Sequence, residues 1–169
     1  MSENVYILLG SNVGDRESYL AAVLARLEAL EGLEITAVSS IYVSEAAEMR
    51  GENPSFLNQV IKGEYQYTAG ELLTALEQIE RGLGRTHKGK KQPRTIDCDI
   101  LLFGDTVVAT PRLTIPHAKL LKRPFALVPL LEIDPAIVHP GTHKPIAGSL
   151  SENDRKTVLL YKDHVARNI

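Results

Sequence analysis

The feature that most constrains this chain is the order in which two apolar periods follow one another. Val5 to Leu9 is a short apolar run, which by length and composition is a strand. Tyr19, Leu20, Val23, Leu24, Leu27 and Leu30 then recur at intervals of three and four, the stripe of one helix face, with Asp15 placed to cap its start and Gly32 its end. Period two returns from Ile35 to Val43, with Ile35, Ala37, Ser39, Ile41 and Val43 on one side, and a strand-like stretch spans Phe56 to Tyr67. Helical spacing resumes through Leu72, Leu73, Leu76, Ile79 and Leu83, closed by Gly84. Thr95 to Phe103 is the clearest strand of all.

Strand–helix–strand–strand–helix–strand is the split βαβ arrangement. The expected fold class is therefore α+β, ferredoxin-like, with an antiparallel sheet carrying helices on one face and the active site on the other. The second face is left to loops or a ligand. Residues 44 to 55 and Gly10 to Asp15 read as loop and turn, Val107-Val108 as a short strand, and Phe125 to Leu131 as a helix that Pro124 starts. Residues 1–169 form one domain; about 134–169 is a C-terminal extension in which Thr157 to Tyr161 suits either strand or helix.

Composition narrows the function classes. Nineteen cations against twenty-one acids leave a formal charge of −2, which gives no general affinity for nucleic acid or an anionic membrane. No apolar run is long enough for a membrane span, and Met1-Ser2-Glu3-Asn4 lacks the basic start of a signal peptide. The single cysteine, Cys98, allows no internal disulfide, so the expected compartment is the cytoplasm.

The charge is not evenly spread. Arg85 to Arg94 holds five of the nineteen cations, a histidine and no acid. Taken alone, such a run is a solvated basic loop. The strand after it changes that reading. Ile96, Cys98, Ile100 and Leu102 point to the core, which sets Asp97 and Asp99 on the other face, about 6.7 Å apart along the strand. Two such carboxylates repel one another unless a cation lies beside them, and their hard oxygens suit Mg²⁺. Polyphosphate needs metal on some oxygens and guanidinium or ammonium on others, and both lie within fifteen residues. The pattern points to metal-assisted phosphoryl transfer without naming the acceptor.

Several motifs, in order, then resemble the 6-hydroxymethyl-7,8-dihydropterin pyrophosphokinases of folate biosynthesis. They are Ile7-Leu8-Leu9-Gly10-Ser11-Asn12-Val13-Gly14-Asp15, Phe56-Leu57-Asn58, Ile79-Glu80 with Gly84-Arg85, and Pro93-Arg94-Thr95-Ile96-Asp97-Cys98-Asp99-Ile100. Leu113-Thr114-Ile115-Pro116-His117 and Arg123-Pro124-Phe125 complete the set. The resemblance implies pyrophosphate transfer from ATP, the co-substrate, to the pterin hydroxymethyl oxygen with release of AMP and two Mg²⁺. It further implies that Asp97 and Asp99 hold the metals and that the catalytic Arg85 and Arg94 touch the phosphates. Glu80, Ile100, Arg112, Thr114, His117 and Arg123, with Arg94, would line the nucleotide site. Phe56 and Phe125 would sandwich the pterin, with Asn58 on its polar edge. Gln92 stands where the family has Gly, Cys98 where it has an aliphatic residue, and Ser44 to Glu48 lacks the family's Pro and Gly.

Other features carry less. Gly10 to Asp15 is not a Walker loop, because no Gly-Lys-Ser/Thr follows. Pro140 and Gly141 forbid a helical His139–His143 metal pair, and Cys98 reads as core, not nucleophile. Two rivals remain open: a nucleic-acid binding module that uses loop 85–94, and an ATP-binding relative without pterin activity. The expected partners are small molecules, with no nucleic acid and no membrane, and the expected state is a monomer.

Overall fold

A computed structural model describes residues 2–12, 15–44, 56–84 and 96–163. The expected loops at 45–55 and 85–94, with Gln92, lie outside the described residues. Five strands and two helices form the split βαβ frame: β1 (Glu3–Ser11), α1 (Arg16–Glu28), β2 (Leu33–Val38), β3 (Ile41–Ser44), β4 (Phe56–Tyr65), α2 (Ala69–Gly82) and β5 (Asp97–Phe103). A hairpin of β6 (Val108–Ala109) and β7 (Thr114–Ile115) follows, then α3 (Pro124–Ile133), the short α4 (Glu152–Arg155) and β8 (Leu159–Lys162). The main sheet runs β5-β1-β4-β3-β8, with β2 also on β4, and every pairing is antiparallel. Among the described residues no helix is long and apolar enough to cross a membrane.

Helix starts follow from their caps. Asp15 accepts the Ser18 amide at 3.1 Å, and Thr68 with Glu71 forms a reciprocal capping box. Gly84, at φ 103°, supplies the left-handed residue after α2. Leu20, Val23, Leu24 and Leu27 of α1 and Leu72, Leu76 and Ile79 of α2 pack on Val5, Ile7, Leu9, Ile61, Cys98 and Ile100, the first sheet face.

The second face is not left to loops alone. Tyr6, Leu8, Val60, Leu101 and Leu102 are buried there beneath Leu120, Ala126, Leu127 and Leu130, so α3 lies across it. Pro124 sits in the first turn of α3, as expected.

Three expectations shift for local reasons. The single strand from Ile35 to Val43 is two strands: Ser39 is buried, and its hydroxyl accepts the Val60 amide at 2.9 Å in place of a strand carbonyl. A bulge at Thr36 moves Ala37 off the inward row and puts Val38 against the core with Ile35, Ile41 and Val43. Leu102 does not share a face with Ile100, because Tyr6 pairs Leu102 while Ile7 pairs Ile100; Leu101 is the extra residue and reverses the alternation. The expected turn at Gly10 is still strand, since β1 runs to Ser11. Thr157 to Tyr161 resolves as strand in part, with β8 pairing β3.

Candidate functional site

Register places the site residues. Gly10 of β1 pairs Asp97 of β5 on one side and Asn58 of β4 on the other, and Asn58 pairs Tyr42 of β3. In the next row but one along the sheet, Leu8 lies between Asp99 and Val60. The second face therefore carries, at one end, the cross-strand row Asp97–Gly10–Asn58–Tyr42, with Asp99 above Asp97. Strands are spaced about 4.8 Å apart, so Asp97 and Asn58 flank a trough about 10 Å wide whose floor, at Gly10, has no side chain. A Cβ on Gly10 would meet Asn58 Oδ1 at 3.5 Å and Phe56 Cδ1 at 3.8 Å, which puts Phe56 over the same floor.

Asp97 and Asp99 are half-buried while Cys98 between them is buried, as period two requires. Asn58 is 3% exposed and donates to Ser44 Oγ at 2.8 Å, which fixes its amide at the base of the trough. Behind β5, Glu80 of α2 accepts the Cys98 amide at 2.8 Å although its own side chain is buried.

The segment after β7 closes one side. The His117 amide donates to the Leu101 carbonyl at 2.9 Å, and His117 Nδ1 accepts the Lys119 amide at 3.1 Å. That hydrogen bond requires a neutral ring with its proton on Nε2. Burial first, then the Arg123 guanidinium, hold His117 below its ordinary pKa, while Asp97 pulls it up. His117 thus feels the charge of both Asp97 and Arg123. Arg123 stands 5.5 Å over the Phe125 ring.

Of the residues singled out from sequence, Phe56, Asn58, Asp97, Asp99 and His117 gather at this end of the second face, with Arg123 and Phe125 opening the helix that covers that face. Arg112 is held on α2, 3.0 Å from Glu77 Oε1 and 3.1 Å from Thr74 Oγ1. Thr114 is exposed on β7, and Ile100 is buried in the first-face core. Arg85 and Arg94 lie outside the described residues. His139 and His143 form a turn, in which His139 Nδ1 accepts the Gly141 and Thr142 amides. Sequence reasoning missed Gly10 as a floor, and Tyr42 and Ser44 as neighbours of Asn58. Only the register, which period-two counting does not supply across strands, brings these three in.

Among the described residues no three His, Cys, Asp or Glu side chains form a metal-binding cluster. Two carboxylates on one strand face nevertheless fit Mg²⁺, which commonly takes one or two and completes its shell with water and phosphate oxygens.

A ferredoxin-like α+β domain with paired carboxylates at one end of its second sheet face is the class that fold and site define. Comparison with known proteins agrees with the motifs. The family model for 7,8-dihydro-6-hydroxymethylpterin-pyrophosphokinase (HPPK) matches residues 6–135, and the chain belongs to that family. A 2-amino-4-hydroxy-6-hydroxymethyldihydropteridine pyrophosphokinase of Aquifex aeolicus is 43% identical over 152 residues, 90% of this chain and 93% of that protein. The enzyme of the same name from Bacillus subtilis is 36% identical over 162 residues, 96% of this chain and 92% of that one. Among solved structures, a Plasmodium falciparum HPPK-DHPS with pteroate shares the fold at TM-score 0.68 and 14% identity, over 88% of this chain. This chain spans 42% of that larger protein.

Proposed function

We propose that this chain transfers the terminal pyrophosphoryl group of ATP to the hydroxymethyl oxygen of 6-hydroxymethyl-7,8-dihydropterin, releasing AMP, as a step of folate biosynthesis. The observation that carries the reading is the row Asp97–Gly10–Asn58, with Asp99 and Phe56 beside it: an acidic wall and an amide-and-aromatic wall face each other across a bare glycine floor. Family membership supplies the substrates that fit those walls.

In the reaction the pterin hydroxyl oxygen attacks the β-phosphorus and loses its proton. The bond from that phosphorus to the oxygen bridging it to the α-phosphate breaks, and AMP leaves with the electron pair. Asp97 and Asp99 would hold Mg²⁺, two ions in this reading, whose charge offsets the triphosphate and the oxygens that gain charge in transfer. Asn58 presents both donor and acceptor to the polar edge of a pterin, held in place by Ser44. Phe56 and Phe125 offer aromatic faces for a flat heterocycle. Neutral His117 keeps an Nε2–H free to donate to a phosphate oxygen, and Arg123 adds a guanidinium beside it. Arg85 and Arg94 would neutralise the remaining phosphate charge. Positioning and electrostatics suffice, with no covalent intermediate. Small-molecule substrates need no partner chain, and the reading is of a monomer working in the cytoplasm.

The test is nucleotide product analysis with ATP, Mg²⁺ and the pterin. AMP formed only when the pterin is present supports the proposal. ADP as the sole product, or no turnover by folded protein, overturns it. Asp97→Ala and Asp99→Ala should each lower kcat at least about 100-fold, because the phosphate charge then lacks its metal. Both should keep the melting temperature of the parent within a few degrees, since neither side chain is in the core. Near-parental turnover by either variant refutes the metal assignment.

A further inference from the structure

We propose that Glu80 is a positioning residue for the acidic pair: by holding the backbone amide between them, it sets the geometry at which Asp97 and Asp99 receive metal. The resemblance assigned Glu80 to the wall of the nucleotide site; in this structure its carboxylate holds the backbone of β5. β5 is an edge strand with β1 as its partner, so alternate amides of β5 face away from β1. Glu80 Oε2 accepts the amide of Cys98 at 2.8 Å.

Both ends of this bond are out of water. Glu80 is 5% exposed and Cys98 is 6% exposed. A carboxylate is kept at such a position only where hydrogen bonds offset the loss of hydration. The bonded amide belongs to the one residue that separates the two aspartates in sequence. Its position therefore sets the pitch and pleat of Asp97-Cys98-Asp99, and with them the spacing of the two carboxylates on the opposite face. Ile79, the neighbour of Glu80 on α2, is packed in the first-face core, so the carboxylate is anchored to a rigid helix. In metal sites, groups that orient the ligands without touching the metal typically change affinity by about 10- to 100-fold when removed.

This inference rests on Asp97 and Asp99 holding Mg²⁺, not on pterin being the acceptor. Its test is made without pterin, so loss of pterin turnover alone would overturn the proposed function and leave this inference standing. The half-saturating Mg²⁺ concentration is measured by calorimetry on the full chain with a non-hydrolysable ATP analogue. The affinity for the analogue is measured separately in EDTA. Glu80→Met keeps the volume and removes the acceptor; Glu80→Gln keeps an acceptor and removes the charge. Met should raise the half-saturating Mg²⁺ concentration at least about 10-fold and Gln no more than about threefold, with the metal-free affinity unchanged in both.

Unchanged Mg²⁺ dependence in Met overturns the proposal, as does Gln losing as much as Met, since charge and not the hydrogen bond would then act. Loss of metal-free analogue affinity in both variants also overturns it, in favour of a direct nucleotide contact. If Met fails to melt cooperatively, Glu80→Asp decides in its place. Asp withdraws the carboxylate by one methylene and should weaken Mg²⁺ binding at least about threefold. An unchanged value there refutes the proposal.

Discussion

At the scale of single residues, His117 shows how one side chain couples backbone hydrogen bonding to protonation. Its ring nitrogen accepts the Lys119 amide while its own amide holds Leu101, so protonation of the ring breaks a bond of the segment that flanks Asp97. Burial and Arg123 favour the neutral ring in the folded protein, whereas the unfolded chain returns it to its ordinary value of 6.5. Between the lowered folded pKa and 6.5 the unfolded state binds more protons, so stability rises with pH across that window. The contribution is complete above 6.5 and is lost as pH falls through the folded value. Urea unfolding from about pH 8 down to about pH 5 should show this loss in the parent. His117→Asn keeps an acceptor for Lys119 and does not titrate, so its curve should lack that component. Identical pH dependence in both proteins would mean that His117 titrates alike in the folded and unfolded states.

At the scale of elements, the break between β2 and β3 and the end of α3 form one joint. Glu132 accepts the Ser40 amide at 3.1 Å and 3.0 Å, the Ser40 hydroxyl at 3.2 Å and the Tyr42 hydroxyl at 2.5 Å. Burial, and then this carboxylate, push the Tyr42 phenol well above its ordinary pKa. Glu132→Ala should cost about 1 to 2 kcal/mol, because hydrogen bonds to a partly exposed charged group are lost. Tyr42→Phe should cost about 1 kcal/mol, and the double variant should lose less than the sum. Denaturant midpoints decide it; strict additivity would show that the two side chains are not coupled. This joint also marks where the sequence ceased to be legible. The helix stripes of α1 and α2 and the inward row of Asp97-Cys98-Asp99 are periodic, so counting alone located them and put both aspartates on the outer face. Ser39, the bulge at Thr36 and the extra Leu101 break the period through backbone pairing with other strands, which no local pattern encodes. Gly63 is a mark of the same kind, since a Cβ there would meet the Glu34 carbonyl oxygen at 2.8 Å.

At the scale of the molecule, the walls of the site come from far apart in the chain. Asn58 and Phe56 open β4, Gly10 is near the end of β1, Asp97 and Asp99 begin β5, and Arg123 and Phe125 stand at the start of α3. Only the folded sheet assembles them, so a ligand that bridges them binds the native state alone and shifts unfolding by mass action. An ATP analogue with Mg²⁺ at about 100 times its Kd should add about 2.7 kcal/mol. For a chain of this length that corresponds to a rise in Tm of about 5 to 10 °C. The metal-dependent part of the rise should vanish in Asp97→Ala and remain in His117→Asn. If Asp97→Ala keeps the full Mg²⁺-dependent rise, metal and nucleotide are held elsewhere on the molecule. The acid-free cluster of cations before β5 would then be the place to look, since a net charge of −2 hides a local excess of positive charge there.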